Sequence, residues 1–387
     1  MPVPSRQKLL LQTLWQAGPL SRSDLRERTG MRLNTIGDET AALIDQGVLR
    51  LETPTTEGPG RPRVPLAVDP DRRQVVGVAL RPGRVELTRL NLLGEPAGPS
   101  VVRSAAAGAP TIRAAASLLS DHVDARTLAV GVSVPGFIDK TGHRLLFSSA
   151  VPGGRGASLQ PIYDAAGEVP VSLANDTHAL AARWAMERGD RALVEPEDTL
   201  LVLLGDRQLG ASLLIDGRPN RGSVHGANEL GHTRLPLETP RCYCGGVGCI
   251  ETIASSDYLA YRLGLAEPAE DLLADRLAKF TPALEDAALR TVLEMVALVL
   301  ANTVSFTRVG RLVLTGPFFD SPAFTAALVE QIRQRTLSQI EHRLHIDFWQ
   351  PPATSPAQTA GDLVLAQLFC PHWEALTTIG GQVQATA

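Results

Sequence analysis

Within residues 6–15 the apolar side chains Leu9, Leu10 and Leu14 recur at helical spacing, so the chain opens on an amphipathic helix. Ser21 stands where a helix N-cap belongs, Asp24 follows at the spacing of a capping box, and Gly30 breaks the segment. A third helical stretch over about residues 33–46 turns Ile36, Ala41, Leu43 and Ile44 toward a core and stops at Gly47. The apolar pattern then shortens to two strands, 48–51 and 64–68, joined by the Pro/Gly-rich TPTTEGPGRPR. Three helices and a two-stranded wing predict a winged helix-turn-helix over residues 1–70. The alternative for this pattern is a helical cap on the following domain.

On the winged-helix reading the third helix enters a major groove. Arg32, Asn34 and Thr35 at its N-terminal end face bases or phosphates, while Asp38 and Glu39 face away. Arg61, between Gly60 and Pro62, is placed to enter a minor groove, against the competing reading of a solvated loop arginine.

After Arg73 strands alternate with helices. Segments 74–80, 84–90, 128–134 and 171–173 make one strand set, and 199–204, 210–215 and 311–314 a second; residues 287–307 read as a long apolar core helix. The expected fold class is α/β, with two lobes around a cleft. The lobes span 71–190 and 191–387, and a C-terminal helix returns to the first.

Charge refines this picture only slightly. The net charge is −4, but residues 1–63 carry nine basic side chains against seven acidic ones, a basic tip on an acidic body. No uninterrupted apolar run approaches the roughly eighteen residues of a membrane span, and the N-terminus lacks a signal-peptide core, so a cytoplasmic protein without a membrane is expected.

Three of the four cysteines fall within eight residues. In GHTRLPLETPRCYCGGVGCIE, His232, Cys242, Cys244 and Cys249 make a complete tetrahedral set for structural Zn2+, with Gly245, Gly246 and Gly248 letting the loop close. The alternative is three unrelated core cysteines beside a histidine.

The stretch HGANELGHTRLPLETPRCYCGGVGCIETIAS resembles the central signature of the ROK family of repressors and sugar kinases, supported by GVSVPGFID, LANDTHALA and GRP elsewhere. With the N-terminal module included, the likeness is to the family's repressor branch, which includes xylose and N-acetylglucosamine regulators. It implies an actin-like, two-lobed sugar-kinase fold. It also implies sugar contacts at Gly136, Asn175, Asp176, Glu229, His232 and Glu251, with zinc holding in place the loop that carries His232 and Glu251. Each has a plainer reading; Asn175 and Asp176, for example, could only cap a helix.

The chain departs from the kinases of that family at the nucleotide turns. The first reads GVALRPGRVEL, without the aspartate and threonine of the family's phosphate loop; the second is Gly205-Asp206-Arg207-Gln208-Leu209-Gly210; the third is Thr315-Gly316-Pro317. An acidic Asp206 repels a triphosphate, and Pro317 removes a donor. The expectation is therefore a non-enzyme: a sugar-responsive repressor acting as a homodimer or tetramer on double-stranded operator DNA. The alternatives are an ATP-dependent sugar kinase and a regulator gated by a partner protein.

Overall fold

The computed structural model describes residues 5–54, 63–106, 108–139, 141–148, 151, 154–188, 197–205, 208–220, 228–268, 271–281, 286–351, 355–370, 373, 377–379 and 382–384. The chain divides into two compact units, Met1–Glu195 with Ala353–Ala387, and Pro196–Pro352.

The first unit begins with α1 (Ser5–Ala17), α2 (Arg22–Thr29) and α3 (Leu33–Asp45). Leu10, Leu11 and Leu14 are buried on α1, whereas Leu9 is 37% exposed. The buried stripe is shifted from its expected place because α1 packs on α2 and α3 and also on the helix Pro356–Phe369. The capping box forms as expected: the Ser21 amide donates to the Asp24 carboxylate at 2.9 Å, and the Asp24 amide to the Ser21 hydroxyl at 3.3 Å. On α3 the inward positions are Ile36, Thr40 and Leu43, at i, i+4 and i+7. Ala41 is exposed, because it falls outside that stripe. β1 (Leu49–Leu51) and β2 (Leu66–Val68) pair antiparallel, and Leu20 bridges to Leu66.

A larger sheet follows. β3 (Gln74–Arg81), β4 (Arg84–Asn91) and β5 (Val101–Ser104) run antiparallel, and α4 (Ala109–His122) crosses to β6 (Thr127–Ser133), which pairs parallel with β3. The short strands β7 (Phe137–Ile138), β8 (Arg144–Phe147) and β9 (Ala157–Ser158) make a separate sheet. Next come α5 (Gln160–Ala166), β10 (Val171–Ala174), parallel to β6, and α6 (Asp176–Glu187). Alternation decides the two faces: Val76, Val78, Leu80, Val130 and Val132 pack with Leu118 of α4 and Ile162 of α5.

The second unit has a five-stranded sheet. β11 (Thr199–Leu204), β12 (Leu209–Ile215) and β13 (Arg218–Pro219) meander antiparallel. After α7 (Ile250–Ile253), α8 (Ser256–Arg262), α9 (Leu272–Ala278) and α10 (Ala287–Thr307) comes β14 (Arg311–Thr315), parallel to β11. α11 (Pro322–Arg335) and α12 (Ser338–Glu341) lead to the parallel edge strand β15 (His345–Phe348). α10 is long and apolar enough to cross a membrane, with a mean hydropathy of 1.6. Its Leu289, Val292, Val296 and Leu300 instead sit in the core against Leu312, Leu314 and Phe324.

The chain then returns to the first unit as α13 (Pro356–Phe369), β16 (Thr377–Ile379) and β17 (Gln382–Gln384), which complete the sheet order β17-β16-β10-β6-β3-β4-β5. α13 lies on the face opposite α4. Gly77 and Gly131 are register partners there, and a Cβ on them would come 1.9 and 1.8 Å from the carbonyl oxygens of Ala357 and Ala360. Only glycine permits this approach of helix backbone to strand.

Candidate metal and ligand site

In the second unit, His232 ends a single 3-10 turn, Leu230–His232, and the following strand-like segment pairs back: Leu235 donates to the Gly248 carbonyl at 2.7 Å and Ile250 to the Thr233 carbonyl at 2.9 Å. This brings Cys249 alongside Arg234 and closes the loop that holds Cys242 and Cys244. Gly245 and Gly248 take φ of 87° and 82°, the conformation the sequence required of them. The ligating atoms of His232, Cys242, Cys244 and Cys249 all lie within 4.8 Å of one another. Cys242 Sγ is 3.7 Å from His232 Nδ1, and Cys244 Sγ is 3.6 Å from Cys249 Sγ. Bond lengths to zinc of about 2.3 Å for sulfur and about 2.0 Å for nitrogen, at tetrahedral angles, give ligand-to-ligand edges of about 3.5–3.8 Å. The donor set fits zinc in chemistry, and these two pairs fit it in spacing.

The same loop organises a second cluster. With Nδ1 turned to Cys242, His232 Nε2 faces the other way, 3.8 Å from Glu229 Oε2 and 3.3 Å from the Tyr243 hydroxyl. Tyr243 also reaches Glu251 Oε2 at 3.5 Å, and Glu251 is buried in the first turn of α7. Burial lowers the pKa of His232, which favours the neutral imidazole that ligates metal. Burial and the neighbouring Glu251 and Glu229 push the Tyr243 phenol up, so it stays an O–H group. Three of the expected contact residues therefore converge. Tyr243, which nothing in its sequence setting flagged beyond its place between two cysteines, joins them.

In the first unit the carboxyl ends of β3, β6 and β10 lie side by side, since Ala79 pairs with Ser133 and Ser133 with Ala174. Ligands of parallel sheets gather at this edge. Asn175 caps α6, accepting from the Thr177 amide at 2.9 Å, and its Nδ2 donates to the Gly136 carbonyl at 3.1 Å. Gly136 has φ 133°, and a Cβ there would strike the Phe147 carbonyl at 2.2 Å. The capping role and the close approach of Asn175 and Gly136 both occur. Desolvation raises the pKa of Asp176; Arg81, at the end of β3, and the Thr177 amide oppose that rise. Arg81 escaped the sequence reading because its meaning depends on β3 and β10 ending at the same edge on either side of β6.

At the first nucleotide turn, β3 and β4 are joined by only Pro82 and Gly83, with Arg81 paired to Arg84. At the second, Gly205 donates to the Gln208 carbonyl at 2.8 Å, and Asp206 lies outside the described residues. At the third, Pro317 starts a 3-10 turn, Pro317–Asp320.

At the N-terminal end of α3, Arg32 and Asn34 are exposed and Thr35 is half-buried. Glu39 points back toward α1, where it accepts from Gln7 at 2.9 Å. Arg61 lies outside the described residues.

Residues 101–368 match the sequence family described as the ROK family. The chain is 25% identical over 257 residues to the xylose repressor of Caldicellulosiruptor bescii, a span that is 64% of this chain and 63% of that protein. It therefore covers just under two thirds of that relative's length. It is also 28% identical over 225 residues to the N-acetyl-D-glucosamine kinase of Escherichia coli O6:H1, covering 54% of this chain and 71% of the kinase. In fold it is similar to a crystal structure of a ROK family transcriptional regulator described as a homologue of the E. coli MLC protein. That likeness has a TM-score of 0.72 and 21% identity, over 94% of this chain and 98% of that one.

Proposed function

Because this chain belongs to the ROK family and has its mixed α/β, sugar-kinase-like fold, we propose that it is a cytoplasmic, sugar-responsive transcription regulator that does not phosphorylate its ligand. Residues 1–70 form a winged helix-turn-helix; 71–190 and 191–387 form the two sensor lobes, with α13 belonging to the first. The observation that carries this reading is the N-terminal module of α1–α3 with the β1–β2 hairpin. It presents Arg32 and Asn34 to solvent at the start of α3, where a recognition helix meets base edges. A homodimer or tetramer places two such helices on an inverted repeat of operator DNA.

In the sensor, Glu229, His232 and Glu251 in one unit, and Gly136, Asn175 and Asp176 in the other, are the sugar contacts. Carboxylates accept from sugar hydroxyls, and the imidazole Nε2–H and the amide donate to them. His232, Cys242, Cys244 and Cys249 hold the zinc, whose bound charge fixes the loop and the His232 tautomer. His232 serves both sites through its two nitrogens.

Fluorescence anisotropy on promoter DNA tests the proposal. Arg32→Ala should weaken binding by about 1–3 kcal/mol, and one member of a sugar panel should shift the wild-type isotherm. DNA binding that ignores every sugar argues for a regulator gated by a protein partner. The likeness to an N-acetyl-D-glucosamine kinase favours a second reading, an ATP-dependent sugar kinase. Sugar-dependent ATP consumption at an enzyme-like rate would establish it and defeat the first.

A further inference from the structure

The Tyr243 hydroxyl is an alcohol-like O–H placed among the groups assigned to sugar hydroxyls. It accepts from His232 Nε2 at 3.3 Å once Nδ1 is committed to metal, and it donates to Glu251 Oε2 at 3.5 Å, with Glu229 Oε2 3.8 Å from the same imidazole nitrogen. A sugar hydroxyl bound there would make the same pair of bonds, one accepted and one donated. The ring packs edge-on against His232, with centroids 5.2 Å apart and planes at 74°, and the residue is 46% exposed. Its place between Cys242 and Cys244 means that the zinc loop itself delivers the phenol to this position.

We propose that Tyr243 is a built-in stand-in for a ligand hydroxyl: its phenol occupies the Glu229–His232–Glu251 subsite, and a sugar enters by displacing it. This rests on the sugar-sensor reading above. The occupied subsite sets a threshold concentration for response, because the sugar must replace two existing hydrogen bonds rather than make two new ones. It also selects for ligands that present a hydroxyl able to donate and accept at once.

The test is calorimetric titration of the zinc-loaded full chain with glucose, xylose and N-acetylglucosamine, for wild type, Tyr243→Phe and Tyr243→Ala. Zinc content and far-ultraviolet dichroism confirm that each variant is folded. Tyr243→Phe keeps the ring and removes only the competing hydroxyl, so the Kd of the sugar that binds should fall about tenfold; Tyr243→Ala should show at least as large a gain. Binding to the wild type that is unchanged or weaker in Tyr243→Phe overturns the stand-in and makes the phenol a retained contact or a structural prop. Failure of all three proteins to bind any of the three sugars defeats the sensor reading itself, and the stand-in falls with it.

Discussion

Asp362, on α13, is fully buried, and its nearest cation is Arg183 of α6, with Nη1 3.5 Å from Oδ2. Arg183 is shared with Glu187, whose carboxylate it meets at 2.5 Å. Desolvation outweighs this divided ion pair and lifts the Asp362 pKa from 3.8 to about 7. The folded protein thus holds this proton more tightly than the unfolded chain does. The stability of the neutral form is fully present below about pH 4 and is lost as pH rises through 7. A shift of this size is worth at most about 4 kcal/mol. Urea unfolding at pH 5 and pH 8 should show wild type losing stability at the higher pH, and Asp362→Asn losing much less; equal slopes would show that Arg183 neutralises the charge completely. At the metal loop, the expected zinc content is one ion per chain, and Cys249→Ser should abolish it and lower the thermal midpoint. Native protein purified without zinc would remove the site.

Among the elements, α13 shows how backbone shape outranks side-chain chemistry. The helix seats on Gly77 and Gly131, so Gly131→Ala drives a methyl into the Ala360 carbonyl. A destabilisation of about 3 kcal/mol is expected by denaturant titration; a loss below about 1 kcal/mol would mean that the helix shifts freely. The long elements were legible in sequence. β11 and α10 carry apolar patterns of sufficient length, and α2 carries both a capping box and a terminating glycine. Several short ones were not. β15, with His345 exposed and Ile346 and Asp347 half-buried, is a strand only because it pairs with β14; β7, β8 and β9 likewise have too few residues to show a period.

At the scale of the first unit, its N-terminal module is joined to its α/β part by contacts that include two well-defined ones. Trp15 of α1 packs on Phe369 of α13 with ring centroids 4.6 Å apart, and Arg73, just before β3, donates both to the Gln46 carbonyl at the end of α3 and to the Ala125 carbonyl, each at 2.7 Å. α13 also packs on α6, whose N-terminus bears Asn175 and Asp176. A sugar contact at Asn175 therefore has a continuous packed route to the helices proposed to hold DNA. Trp15→Ala should leave operator affinity within about threefold while reducing the sugar-induced change in anisotropy. An unaltered sugar response would place the coupling elsewhere.

The sequence by itself determined the local matters. A zinc donor set needs only one histidine and three cysteines within eighteen positions, and a helix cap needs two residues; chemistry of that kind is written in one short stretch of chain. Tertiary structure decided which distant groups share a surface. Tyr243 lies against His232 because the thiol loop folds over, Arg81 acts on Asp176 because two parallel strands end together, and Asp362 is raised because α13 is buried between a sheet and α6. Contacts of this second kind depend on how strands register and helices pack, which no window of sequence contains.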